Sequence, residues 1–226
     1  MASTSTGKTL REGSTQKREA ILAAGREHFL ADGFERTSVD AIAATAGVSK
    51  RTVYDYFGDK RTLLISVVEQ AVAALGAAVS TAITENLTDI DDLEASLIGF
   101  ARDITTSAIG SPDYAALMRL VSTESTHVPE LRAKHWDLQE PEEAVAERFA
   151  ELDGQGLLVA PDARLAADHF VALTLSPFAA SIGGAAAAVR DEPDAERLIV
   201  EGVRAFLRAY GGARSRLQPE RPEARV

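Results

Sequence analysis

"SVDAIAATAGVSKRTVYDYF", Ser38 to Phe57, holds two short amphipathic patterns on either side of a tight turn. Thr37 or Ser38 can cap a helix whose Val39, Ile42, Ala43 and Ala46 recur at helical spacing. Gly47 supplies the turn, and Ser49 caps the helix that follows. There Val53 and Phe57 are four apart and share one face. Lys50, Arg51, Thr52, Tyr54 and Tyr56 are left on or near the other face. Two short helices joined by Ala-Gly-Val-Ser make a helix-turn-helix, because helices crossing steeply leave room only for small residues and a glycine. Such a second helix fits the major groove of DNA. An arginine can bond both guanine acceptors, a threonine methyl can touch a thymine methyl, and tyrosine hydroxyls suit phosphates. Lys60 adds a cation beside the free N–H groups of the next helix, a phosphate site in pattern.

Charge is distributed accordingly. The 226-residue chain carries a net −10, which by itself argues against nucleic acid. Up to Arg61, however, ten lysines and arginines face eight aspartates and glutamates, so the remaining chain holds fourteen against twenty-six. Only the front segment is net basic, and phosphate would repel the rest. DNA contact is therefore expected in the first sixty or so residues alone. Cysteine is absent, which excludes disulfides and thiolate metal sites and suits a reducing cytoplasm.

The rest of the pattern is helical, giving an all-α fold. Residues 1–14 are small and polar and read as a disordered arm. A first helix from Thr15 carries Ile21, Ala24, Gly25, His28 and Phe29 and ends at Gly33. Asp59 opens a long fourth helix, running from Leu63 to about Ile83. Further helices follow through Phe100 and Ile104, along Tyr114, Leu117, Met118 and Val121, from Trp136 to Leu152, and from Asp162. A last one carries Leu198, Ile199, Val203, Phe206, Leu207 and Tyr210 before Gly211 and Gly212 stop it. The division expected is a DNA-binding domain over 15–62, a helical domain over 63–210 and a disordered tail over 211–226. "FVALTLSPFAASIGGAAAAV", Phe170 to Val189, is uncharged and nearly long enough to cross a bilayer. Its small residues and Pro177 read instead as a helix at a protein interface, and no membrane partner is expected.

From about Arg18 to Ile65 the chain resembles the DNA-binding domain of the TetR/AcrR family of transcriptional regulators. "T-V-Y-x-Y-F-x-x-K-x-x-L" after a "G-V-S" turn carries the likeness. "MRLVSTESTHVPEL", Met118 to Leu131, resembles a sensor-domain subgroup of that family. The resemblance implies an N-terminal three-helix head and a C-terminal helical domain for effector binding and dimerisation. It implies that Thr37 and Ser38 reach the DNA backbone, that Lys50, Arg51 and Thr52 face bases, and that Tyr54, Tyr56 and Lys60 hold phosphates. His28 stands where an aliphatic residue usually precedes Phe29. Asp55 puts a negative charge on the recognition helix, where facing solvent is its simplest role.

The resemblance further implies a cytoplasmic homodimer that binds a palindromic double-stranded operator and is released by a small-molecule effector. Activation or nucleoid association is the alternative. Apolar residues at helical spacing are pocket candidates as well as core candidates: Phe100, Ile104, Tyr114, Met118, Val121, Trp136 and Phe178. No enzyme, cofactor or metal is expected. "ASTSTGKT", Ala2 to Thr9, meets a relaxed phosphate-loop pattern, but only Met1 precedes it, and a phosphate loop must follow a strand. His28, His127, His135 and His169 lack metal-ligand spacing.

Overall fold

A computed structural model of the chain describes residues 5–106, 112–125, 128–131, 139–175 and 192–213. Their elements are α1 (Ser5–Arg36), α2 (Val39–Thr45), α3 (Lys50–Phe57), α4 (Lys60–Asn86), α5 (Leu93–Ile104), α6 (Pro112–Glu124), α7 (Gln139–Gly154), α8 (Ala163–Thr174) and α9 (Glu192–Tyr210). The fold is all-α. It divides into two compact units, Met1–Val72 with Ala116–Trp136, and Ala73–Ala115 with Asp137–Val226. The sequence reading put the division near residue 62 and gave the whole of 116–136 to the second domain. A contiguous reading of the chain cannot assign a later segment to an earlier core.

The first unit is built on α1 to α3 and the start of α4. α1 begins at Ser5, well inside the stretch read as an arm, because no proline interrupts the helix and its polar residues tolerate one. Gly33 leaves the helical conformation at φ 76°, and a short turn runs on to Arg36. A residue with a side chain is strained there, which is why glycine ends the helix. Ile21, Leu22 and Phe29 of α1, Ile42 of α2, Val53 of α3 and Leu63 and Leu64 of α4 are buried. A methyl placed on Gly25 would meet the Leu63 side chain at 3.5 Å, so α1 and α4 approach closely. Asp59 caps α4 by accepting the Thr62 N–H at 2.7 Å.

In the second unit a phenylalanine cluster forms the centre. Phe100 of α5, Phe149 of α7, Phe170 of α8 and Phe206 of α9 are all fully buried. Phe170 lies 5.7 Å from Phe100, 5.5 Å from Phe149 and 5.3 Å from Phe206, the last two edge-on. Asp92 and Asp162 cap α5 and α8 with their carboxylates. Arg102 of α5 pairs with Glu196 of α9, and Arg204 of α9 with Glu94 of α5. Gly211 and Gly212, read as the start of a loose tail, are buried and pair with the loop after α7: Leu158 and Gly211 form an isolated antiparallel bridge. A Cβ on Gly212 would sit 2.3 Å from the Gly156 carbonyl, so only glycine permits that approach.

Among the described residues α4 is the one helix long and apolar enough to cross a membrane by length and composition. The stretch singled out in the sequence, Phe170 to Val189, enters the described residues only as far as Leu175.

Candidate nucleic-acid interface

α2 and α3 meet through a turn that each residue type explains. The Ser38 hydroxyl caps α2 by accepting the Ala41 N–H at 3.1 Å. Gly47 takes φ 66°, a left-handed conformation open to glycine, and lets Val48 N–H reach the Ala43 carbonyl at 3.0 Å. Ser49 then caps α3, accepting the Thr52 N–H at 3.1 Å and sharing a 2.8 Å bond with the Thr52 hydroxyl. Val53 and Phe57 are buried and hold α3 to its unit. Each such side chain contributes roughly 1.5–3 kcal/mol.

Lys50, Arg51 and Tyr54 are brought together on the exposed side of α3. The Arg51 side chain is 90% exposed, with a long 3.9 Å pairing to Asp55. Tyr54 is 43% exposed, unusually open for a large ring among the described residues. Lys50 donates to the Asp40 carboxylate of α2 at 2.8 Å, and that hydrogen bond, with the charge behind it, raises the lysine above its ordinary pKa. Thr52 is half-buried, its hydroxyl turned to Ser49. Tyr56 is half-buried too, and its hydroxyl bonds both the hydroxyl and the carbonyl of Ser14 on α1. The guanidinium of Arg18 lies over the Phe57 ring, 5.6 Å from its centre, adding a cation beside α3.

Two residues expected on phosphates are engaged within the protein instead. Thr37 is 3% exposed, and its hydroxyl donates to the carbonyls of Gly33 and His28 at 2.7 and 3.0 Å. It locks the passage from α1 to α2, where a buried hydroxyl needs a partner. Lys60 donates to the carbonyls of Phe34, Glu35 and Thr37 at 2.7, 3.3 and 3.0 Å. Its nitrogen also lies 4.4 Å from the centre of the Phe34 ring. An ammonium has three donors, and three carbonyls take them.

The sequence reading missed Asp40 and Ser14. Asp40 sits ten residues before Lys50 and Ser14 forty-two before Tyr56, and no local spacing signals either pairing. His28 bonds Thr45 of α2 at 2.8 Å through Nε2, a polar link where an aliphatic residue would have packed.

The pocket candidates separate. Phe100 and Ile104 are buried in the second unit's core, and Tyr114 packs against the same core, where burial pushes its hydroxyl pKa up. Met118 and Val121 are buried residues of the first unit. Trp136 and Phe178 lie outside the described residues, as do His127 and His135. His169 bonds the Tyr210 hydroxyl at 2.6 Å through Nδ1. Among the described residues no group of three or more His, Cys, Asp or Glu side chains could hold a metal ion.

Residues 21–67 match the family model described as "Bacterial regulatory proteins, tetR family", and residues 95–212 match "AefR-like transcriptional repressor, C-terminal domain". The solved structures that resemble the chain include a protein of Mesorhizobium loti MAFF303099 described as a TetR-family transcriptional regulator. It is 28% identical at a TM-score of 0.81, with 88% of this chain and 98% of that one covered. A TetR family transcriptional regulator from Pseudomonas syringae pv. tomato str. DC3000 is 28% identical at 0.67, over 87% and 97%. The Flavonoid-responsive Regulator FrrA is 26% identical at 0.66, over 87% and 98%. Among curated proteins none matches the sequence.

Proposed function

The chain belongs to the TetR family of bacterial transcriptional regulators, and from that premise we propose that it is a homodimeric repressor, bound to a palindromic operator and released by a small molecule. The observation that carries the DNA reading is α3 itself. Its apolar pair Val53 and Phe57 is buried while Lys50, Arg51 and Tyr54 stand open, the distribution that a groove-reading helix needs. Arg51 and Lys50 face bases, with Thr52 beside them, and Tyr54 and the cap residue Ser38 approach phosphates. Tyr56 reaches a phosphate only by sharing its hydroxyl with Ser14.

Repression rather than activation is favoured by the match of residues 95–212 to a repressor's C-terminal domain. Dimerisation is the geometric requirement of a palindrome: a two-fold pair of α3 helices reads half-sites about one DNA turn apart. The effector enters the C-terminal domain, with Phe100, Ile104 and Tyr114, which share the second unit's core, as the lining to test. α4 runs unbroken from Lys60 to Asn86 and is the lever between effector and head. A flavonoid is a reasonable first probe, because FrrA is described as flavonoid-responsive.

Enrichment from a random pool of DNA duplexes tests the reading. The purified chain should enrich a two-fold symmetric site, bind it in fluorescence anisotropy far more tightly than a shuffled duplex, and run at twice the protomer mass. Weak binding of equal strength to every duplex, falling steeply with salt, would leave only phosphate attraction and reject the operator. For the release mechanism, operator and effector must weaken each other's binding by the same factor. An effector that binds equally well with and without operator overturns it.

A further inference from the structure

Lys60 lies beside the head, yet every donor it has is turned inward. Three carbonyls, those of Phe34, Glu35 and Thr37, converge on its nitrogen within 3.3 Å. The last carbonyls of a helix have no amide to accept from within it, and they form the negative end of its dipole. After Gly33 breaks α1, the chain must turn into Thr37 and the Ser38 cap of α2, and these carbonyls are the ones left over. The cation of Lys60 satisfies them and sits on the Phe34 ring at 4.4 Å. Lys60 is itself the first residue of α4 and follows α3 by three positions, with Asp59 N–H donating to the Phe57 carbonyl at 2.8 Å. One side chain thus ties the start of α4 to the corner between α1 and α2, the corner from which the helix-turn-helix begins.

We propose that Lys60 is a positioning residue for operator binding, a clamp that fixes the helix-turn-helix to the start of α4, and not a phosphate contact. The proposal rests on the DNA-binding reading above. It makes Lys60 sensitive to geometry as well as charge. A compact ammonium meets three converging carbonyls, whereas the planar fork of arginine does not fit the same nest. A phosphate contact would behave in the opposite way, since arginine binds phosphate at least as well as lysine.

The test compares wild type, Lys60→Met and Lys60→Arg on the duplex enriched by the wild-type chain and on its shuffled counterpart, across a series of salt concentrations. Amide exchange of the free protein supplies a readout that needs no DNA. Both variants should lose roughly tenfold or more in operator affinity and little on shuffled DNA. The slope of log affinity against log salt should stay as in wild type. The Thr37 amide, bonded to the Gly33 carbonyl at 3.3 Å, should exchange faster in both. A slope shallower by about 0.9 in Lys60→Met, with Lys60→Arg binding like wild type, identifies a phosphate contact and overturns the proposal. Variants that melt lower but keep operator affinity reduce Lys60 to a brace and overturn it as well. If Lys60→Met does not fold, Lys60→Arg, which keeps the cation, decides the matter. A wild-type chain that prefers no duplex rejects the operator itself, an outcome visible before any variant is measured.

Discussion

Arg51 and Lys50 are neighbours in sequence and unlike in circumstance. Arg51 is almost wholly exposed and, among the described residues, its one ion pair is with Asp55 at 3.9 Å, so little in the described fold leans on it. Arg51→Ala should leave the melting temperature within the scatter of surface substitutions and weaken operator binding by about 1–3 kcal/mol, relaxing the base preference at one position per half-site. Thermal melts and anisotropy on single-base variants check this. Lys50 is held by Asp40, so its charge is partly neutralised before any DNA arrives. Asp40→Asn should tighten binding to shuffled DNA and steepen its salt dependence, because a cation is freed and an anion removed from the same face. A salt slope unchanged by the substitution would mean that Lys50 stays clear of DNA. The tendency of Lys50 and Arg51 to stand outward is legible in the spacing of Val53 and Phe57. The partner of Lys50 is not, because it comes from another helix.

Helix ends and helix contacts carry the next level. Asp59 opens α4, and the Thr62 backbone N–H, then the Thr62 hydroxyl, hold its carboxyl below the ordinary carboxylate pKa. A depressed pKa means that the cap's contribution is complete above the ordinary carboxylate range and disappears as pH falls through the lowered value. Asp59→Ala should therefore cost about 1 kcal/mol at neutral pH. The difference from wild type should close under acid, which denaturant melts at pH 7 and near pH 2 would reveal. Between α8 and α9 the contact is closer than the sequence suggests. A Cβ on Gly202 would lie 2.3 Å from the Leu173 carbonyl oxygen. Helix propensity favours Gly→Ala by about 1 kcal/mol, but forcing a backbone apart costs about 1–3. Gly202→Ala should thus destabilise, whereas Gly13→Ala, whose added methyl meets nothing within 4 Å, should stabilise α1 by up to about 1 kcal/mol. Chemical melts of the two variants should move in opposite directions.

At the level of the whole molecule, the chain forms two compact units, and its sequence is net basic only at the front. Phe170 touches three other phenylalanines at the centre of the second unit, so Phe170→Ala should cost about 3–5 kcal/mol. Calorimetry should show the loss in the transition of that unit. The sequence by itself determined the helical class, the α2–turn–α3 motif and the family. Those rest on local periodicity, a glycine forced into a left-handed turn and serine caps, all set by residues within a few positions of one another. It also marked Val53 and Phe57 as inward and Arg51 and Tyr54 as outward, since one face of a short helix follows from spacing alone. What only the tertiary structure decided was the use of groups that neighbours in space compete for. Thr37, Lys60 and Tyr56 carry the chemistry of phosphate contacts, yet buried or converging carbonyls and the hydroxyl of Ser14 reach them first. A hydrogen-bonding side chain is satisfied by whichever partner the fold brings within about 3 Å, and sequence spacing carries no record of that distance.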